Sequence, residues 1–258
     1  MTYFVSNCGS NENGGISGGQ AGDQTGNEWR IREYYSYPWT HVLRYHDEMC
    51  MTTIALLACL AAQNDNIGYD QPNRISFSAA LKKAGYNPAL IHEPCSADCS
   101  SGSCAIINAA GHLCEESCLS GLSVALTSRT IRSSLEKIGW YTLTGDYLKN
   151  PSLLKPGDQL LAEGKHICTF IGSLSSVVSQ PNVSQSLKVD PAKNKDSQYN
   201  KTYYTIRKTS LLTGVNGKII SELEKGAKVR CYGYFTGAYL YVSVAGMTGF
   251  IYFGDLAW

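Results

Sequence analysis

Apolar and polar positions follow two different periods along the chain, and the change of period divides it. Between residues 47 and 138 the apolar residues return every three or four positions, the spacing of helices with one buried face. Asp47 can cap a helix running to Ala62, with Ile54, Leu57, Ala58 and Ala61 on one side. A second helix is predicted over Ser76 to Lys83, stopped at Gly85, and a third over Cys99 to Ala110, closed by Gly111. A fourth covers Ser128 to Ile138 and ends at Gly139. The period then changes: Asp158-Gln-Leu-Leu-Ala and His166-Ile-Cys-Thr-Phe-Ile-Gly read as two strands joined by a Glu163-Gly164 turn. The first stretch, to about residue 27, is rich in Gly, Asn and Ser and reads as loop, not core. Residues 173–200 turn polar and read as a linker. After them come short β-like runs at Tyr203–Ile206, Lys228–Tyr232, Tyr239–Val244 and Thr248–Tyr252, with turns at Asn216-Gly217, Gly226, Gly237 and Gly246. The pattern predicts an α+β domain over residues 1–172, a linker over 173–200 and a small all-β barrel over 201–258.

Composition changes this picture little. The 258 residues are 43% apolar and 17% charged with a net charge of +1, so the chain as a whole has no electrostatic reason to seek nucleic acid. The charge is uneven, with +4 on residues 201–258 and −3 on the rest, which gives the small β module a basic surface suited to a polyanionic partner. The longest apolar run, Met51 to Ala62, falls well short of the ~20 residues that span a bilayer, so membrane insertion is not expected. Met1-Thr-Tyr-Phe-Val-Ser-Asn has neither a basic start nor an apolar core, and no export signal is expected. Ten Cys are present, six of them between Cys95 and Cys168. Their spacings are C-x3-C-x4-C and C-x3-C, not the paired C-x2-C of zinc ribbons, and the expectation is of buried thiols with no metal and no cofactor.

One of these Cys has a physical reason to react. Asp98-Cys99-Ser100 closes a tight polar stretch and opens an apolar helix, which puts Cys99 in the first helical turn. The unpaired N–H groups there are expected to favour a thiolate and to steady an oxyanion during acyl transfer. Cys104 lies deeper in the apolar helix and lacks that setting. A thiol nucleophile needs a base, and of the five His only His166 opens an apolar strand just after a turn, a rigid place from which to aim an imidazole. His92 precedes Glu93-Pro94 in a polar loop, and His41, His46 and His112 read as surface groups.

Asp98-Cys99-Ser100 resembles the Asp-Cys-Ser of NlpC-type cell-wall peptidases. Leu154-x-x-Gly157-Asp158-x-Leu-Leu, followed by His166-x-x-x-Phe-Ile-Gly172, resembles the strand pair that carries their His. Ile67-Gly-Tyr69-Asp-Gln71 is similar to the stretch in which a Tyr lines their site. The block Asp23-Gln24 to Glu28, Ile31-Arg32, Tyr35 and Pro38-Trp39 resembles one found in phage lysins of this type, with no role assigned to it. Thr248-Gly-Phe-Ile-Tyr and Lys218–Val229 resemble parts of bacterial SH3-like domains. The resemblance implies a papain-like cysteine hydrolase with Cys99 as nucleophile and His166 as base. It also implies Asp98, Ser100 and Tyr69 as contacts to the stem peptide of peptidoglycan, and by analogy Gln24 or Gln71 as an oxyanion donor. The SH3-like module would hold a wall polymer or cross-bridge. The residue that orients the His usually follows on the next strand, and here Ser175, Gln180 and Asn182 fit poorly, which leaves Asp23, Gln24 or Asp70 to reach the site.

The expected reaction is that of a phage endolysin, made in the host bacterial cytoplasm and acting on the wall after release. The γ-D-glutamyl–diamino acid bond is favoured, with N-acetylmuramoyl–L-alanine as the alternative. A Cys–His acyltransferase or deamidase and a non-catalytic wall-binding protein remain as other classes. An amine adduct in the products would mark the former, and full effect without the Cys99 thiol would mark the latter.

Overall fold

A computed structural model of the chain describes residues 2–114, 116–173, 194–195, 197–213, 218–236 and 239–257. The chain forms two units, Met1–Leu174 and Ser175–Trp258, each with its own core. In the first unit the strands are β1 (Tyr3–Cys8), β2 (Trp29–Glu33), β3 (His41–Arg44), β4 (Ile67–Tyr69), β5 (Cys95–Ala97), β6 (Tyr141–Leu143), β7 (Gln159–Ala162) and β8 (His166–Ser173). The helices are α1 (Glu48–Ala61), α2 (Ser76–Lys83), α3 (Cys99–Cys114), α4 (Ser117–Ser120) and α5 (Ile131–Lys137).

Six strands make one antiparallel sheet in the order β2-β1-β8-β7-β3-β6, and β4 and β5 form a separate parallel pair. Successive side chains on a strand point to opposite faces, and both faces of this sheet are covered. Ile167 and Leu161 enter the core shared with α1 and α3, while Cys168, Phe170, Leu160, Val5 and Val42 fill a second core on the other side. That double burial explains why β7 and β8 read as continuous apolar runs. Asp47 caps α1 by accepting from the Cys50 N–H at 2.7 Å, and the predicted stripe Ile54, Leu57, Ala58 and Ala61 is buried.

Three expectations need correction. Residues 3–8 are not loop: Tyr-Phe-Val-Ser-Asn-Cys forms β1, hydrogen-bonded between β2 and β8 in the sheet. Gly111 does not stop α3, which runs on to Cys114; a Cβ there would come within 2.3 Å of the Ser120 backbone nitrogen, so the bare backbone admits α4 instead. The fourth predicted helix is shorter, because Thr127 to Thr130 form a hydrogen-bonded turn before α5.

The second unit is all β: β9 (Asn194–Lys195), β10 (Thr202–Thr205), β11 (Thr209–Leu212), β12 (Ile219–Leu223), β13 (Lys228–Thr236), β14 (Tyr239–Val244), β15 (Met247–Tyr252) and β16 (Leu256–Ala257). Its antiparallel sheet has the order β12-β11-β15-β14-β13-β10-β16, with β9 paired to β13. Most of the expected linker lies outside the described residues, but its end at 194–195 belongs to this sheet. Alternation on β14 buries Leu240, Val242 and Val244. Of the seven Tyr between Tyr203 and Tyr252, Tyr203 is in the core, while Tyr204 and Tyr252 are exposed. Among the described residues no helix is long and apolar enough to cross a membrane.

Candidate active site

Only Asp98 separates β5 from α3, and it builds the start of the helix. Its Oδ1 accepts from the Ser101 N–H at 2.7 Å, and the Ser101 hydroxyl accepts from the Asp98 N–H at 2.9 Å. This reciprocal pairing is a capping box with Ser at the third position. Ser100 donates to the same Oδ1 at 2.9 Å, Arg74 stands 3.0 Å from Oδ2, and Arg74 also donates to Ser100 Oγ. Asp98 and Ser100 are both buried and tied into this network, which holds the helix start. Tyr69 is buried as well; its backbone N–H donates to Glu28 Oε2 at 2.8 Å.

The cap presents Cys99 at the first helical position. The backbone N–H groups of Ser100 and Ile167 lie near enough to its sulfur to favour the thiolate, and Ile167 directly follows His166 on β8. The starts of α3 and β8 therefore meet at Cys99. Burial pushes the Cys99 thiol up to about 11, with Asp98 adding to the rise; the two N–H groups and Arg74 pull the other way. The expectation of a thiol acidified by its helix start fails here because loss of water outweighs the nearby donors. Cys104 is fully buried, and burial raises its thiol further.

His166 Nε2 lies 2.8 Å from Asn7 Oδ1, and the same oxygen accepts from the Tyr35 hydroxyl at 2.9 Å. An amide oxygen only accepts, so Nε2 carries the proton and Nδ1 keeps its lone pair. The rings of Tyr37 and Trp39 stand 5.9 and 6.2 Å from the imidazole, and the Arg32 guanidinium covers the Tyr35 ring at 4.0 Å. Burial in this setting, and secondarily the Arg32 charge, lowers His166 to about 4. Thiol and imidazole are thus both neutral at rest. Alkylation of Cys99 by iodoacetamide, followed by peptide mass spectrometry, is expected to keep accelerating up to about pH 11. A rate already level below pH 8 would refute the neutral pair.

The side chain that holds the His166 imidazole is Asn7, which the sequence did not reveal. It comes from β1, the strand that occupies the position beside β8 where a following strand was expected. Ser175, Gln180 and Asn182 lie outside the described residues. Asp23 does not reach the imidazole: its carboxylate accepts from the backbone N–H groups of Thr25, Asn27, Glu28 and Trp29 and pins the loop before β2. The Gln24 amide nitrogen donates to Ala21 O and Gly22 O, which occupies both of its hydrogens. Asp70 is buried beside β5, where its N–H meets Ala97 O, and Gln71 is exposed. His92 is exposed in the loop before β5. A signal for Asn7 does exist: a lone amide side chain in a short β-branched and aromatic run is uncommon. The block around Arg32, Tyr35 and Trp39, which had no assigned role, forms the wall around His166 and Asn7.

The ten Cys are all free thiols, and among the described residues no group of three or more His, Cys, Asp or Glu is arranged to hold a metal. No curated protein and no solved structure matches the chain. A family model described as an endolysin-like domain matches residues 5–175, a span that includes Asn7, Cys99 and His166. The chain therefore belongs to the endolysin-like domain family, which points to a peptidoglycan hydrolase of the phage-endolysin kind.

Proposed function

We propose that the first unit is a papain-like cysteine hydrolase that cuts an amide bond in the peptidoglycan stem peptide. What supports this reading is an imidazole at the start of β8 hydrogen-bonded to Asn7, and a thiol at the start of α3 that meets the backbone of Ile167, the residue after His166. As the substrate carbonyl arrives, Nδ1 of His166 takes the thiol proton and Cys99 Sγ bonds to the carbonyl carbon. The Cys99 N–H, at the first position of α3, donates to the developing oxyanion. The imidazolium then protonates the leaving amine, the C–N bond breaks, and water, activated by the same imidazole, releases the acyl group and restores the thiol. Asp98 and Ser100 serve as positioning residues through the helix start, and Tyr69 stays assigned to the peptide.

The γ-D-glutamyl–diamino acid bond is the favoured target. The second unit is assigned as an SH3-like wall-binding module; exposed Tyr252, with Tyr239 5.7 Å away, supports it by offering ring surface for a wall polymer. Digestion of purified walls, followed by mass spectrometry of the fragments, tests the reading. New diamino-acid amino termini are expected, and iodoacetamide treatment of the enzyme should prevent them. New L-Ala amino termini would assign the muramoyl amide instead, and new reducing sugars alone would discard the cysteine mechanism.

A further inference from the structure

Arg32 stands out among the charged groups near the site. It lies on β2 opposite Val5, two residues before Asn7 on β1, so it shares the sheet face that carries Asn7 and His166. Its guanidinium lies 4.0 Å over the Tyr35 ring, the ring whose hydroxyl bonds Asn7. Among the described residues no carboxylate pairs with it, whereas Arg44, Arg74, Arg132 and Arg207 each have one. A half-buried Arg whose guanidinium sits over an aromatic ring and has no carboxylate partner among the described residues keeps its fork of N–H donors for a carboxylate from outside the chain.

We propose that Arg32 is a specificity-determining residue that binds a free carboxylate of the acyl group being transferred. This rests on the hydrolase reading above and deepens it. In a γ-D-glutamyl bond the reacting carbonyl is the side-chain carbonyl of D-glutamate, and the α-carboxylate hangs on the same acyl group. When that carboxylate is amidated the charge is gone. At the N-acetylmuramoyl–L-alanine bond the acyl side is a lactyl ether with no carboxylate. An unpaired Arg beside the base therefore selects the γ-D-glutamyl bond, and within it the form with the free acid.

The test uses the full chain and two soluble stem peptides, one with D-glutamate and one with its α-carboxamide. The wild-type kcat/KM is expected to favour the acid form by about 10- to 100-fold, the effect of one charge-assisted pair. Arg32→Gln should bring the two substrates to within about threefold, and Arg32→Lys should restore part of the preference. Equal rates for the two peptides with wild-type enzyme, or an equal loss on both in Arg32→Gln, would overturn the proposal. The same comparison as a binding titration with Cys99→Ala separates the two readings. Preferential binding of the acid form without any cleavage by wild type sinks the hydrolase chemistry and keeps the Arg32 assignment. Equal binding, or no binding of either peptide, sinks the assignment itself.

Discussion

Alanine in place of His166 lowers kcat/KM on wall peptides by about 10³- to 10⁴-fold, and Cys99→Ala by at least as much. The double variant falls no further, because a nucleophile and its base act as one device and removing either disables both. Additive losses would mean that the two residues do not cooperate. Asn7→Ala costs less, about 10- to 100-fold, since it removes one hydrogen bond to the imidazole and frees the wrong tautomer. Asn7→Asp makes a sharper probe. A carboxylate at Nε2 favours imidazolium, so the acid limb of the kcat/KM profile should move up from its position near pH 4. A limb that stays in place would remove Asn7 from the mechanism.

The largest loss of stability is expected at Asp158. Its carboxylate is fully buried and takes two hydrogen bonds from Arg44, at 2.8 and 2.6 Å, and one from the Lys155 N–H at 2.8 Å. Burial pushes the Asp158 carboxyl up from its ordinary value even with Arg44 against it, so the pair carries a heavy desolvation cost. Asp158→Ala leaves the mostly buried Arg44 guanidinium without its counter-charge, and a loss of about 3–5 kcal/mol follows. Thermal unfolding should show it as a drop of roughly 10 °C or more. Joint replacement by Asp158→Leu and Arg44→Met should cost less than the single change, because neither charge is then stranded. Near-native melting of Asp158→Ala would refute this account. The Gly157-Asp158 pair thus has a structural role: it fixes β7, and through β7 the strand that presents His166.

Cys99 and His166, the proposed nucleophile and base, could be singled out from the chain because each sits at a junction with a local signature, a cap before an apolar helix and a turn before an apolar strand. The helices α1 and α2 were legible for the same reason: periodicity and capping are written within a few residues. Asn7 was not legible. Its strand is six residues long, a Gly-rich segment follows it, and nothing local says that β1 lies against β8. Strand order is set by which apolar faces meet in three dimensions, and periodicity does not carry that. Arg32, Tyr35 and Trp39 were visible as a distinctive block but silent in role, because they act on a residue found on another strand. Gly111 misled in the opposite way: a helix-breaking residue was tolerated because a second helix needed its missing Cβ.

The bond from Asn7 to His166 joins residues 159 positions apart. Such a long closure is among the slowest events in assembling a chain, since nothing nearer in sequence rewards it until the ends of the unit come together. A ribosome-bound fragment, or one clipped within its first eight residues, would carry the thiol and lack a correctly aimed base. Lytic power would then arrive all at once, with the last strand of the first unit, and a copy halted before it would be harmless to the cell producing it.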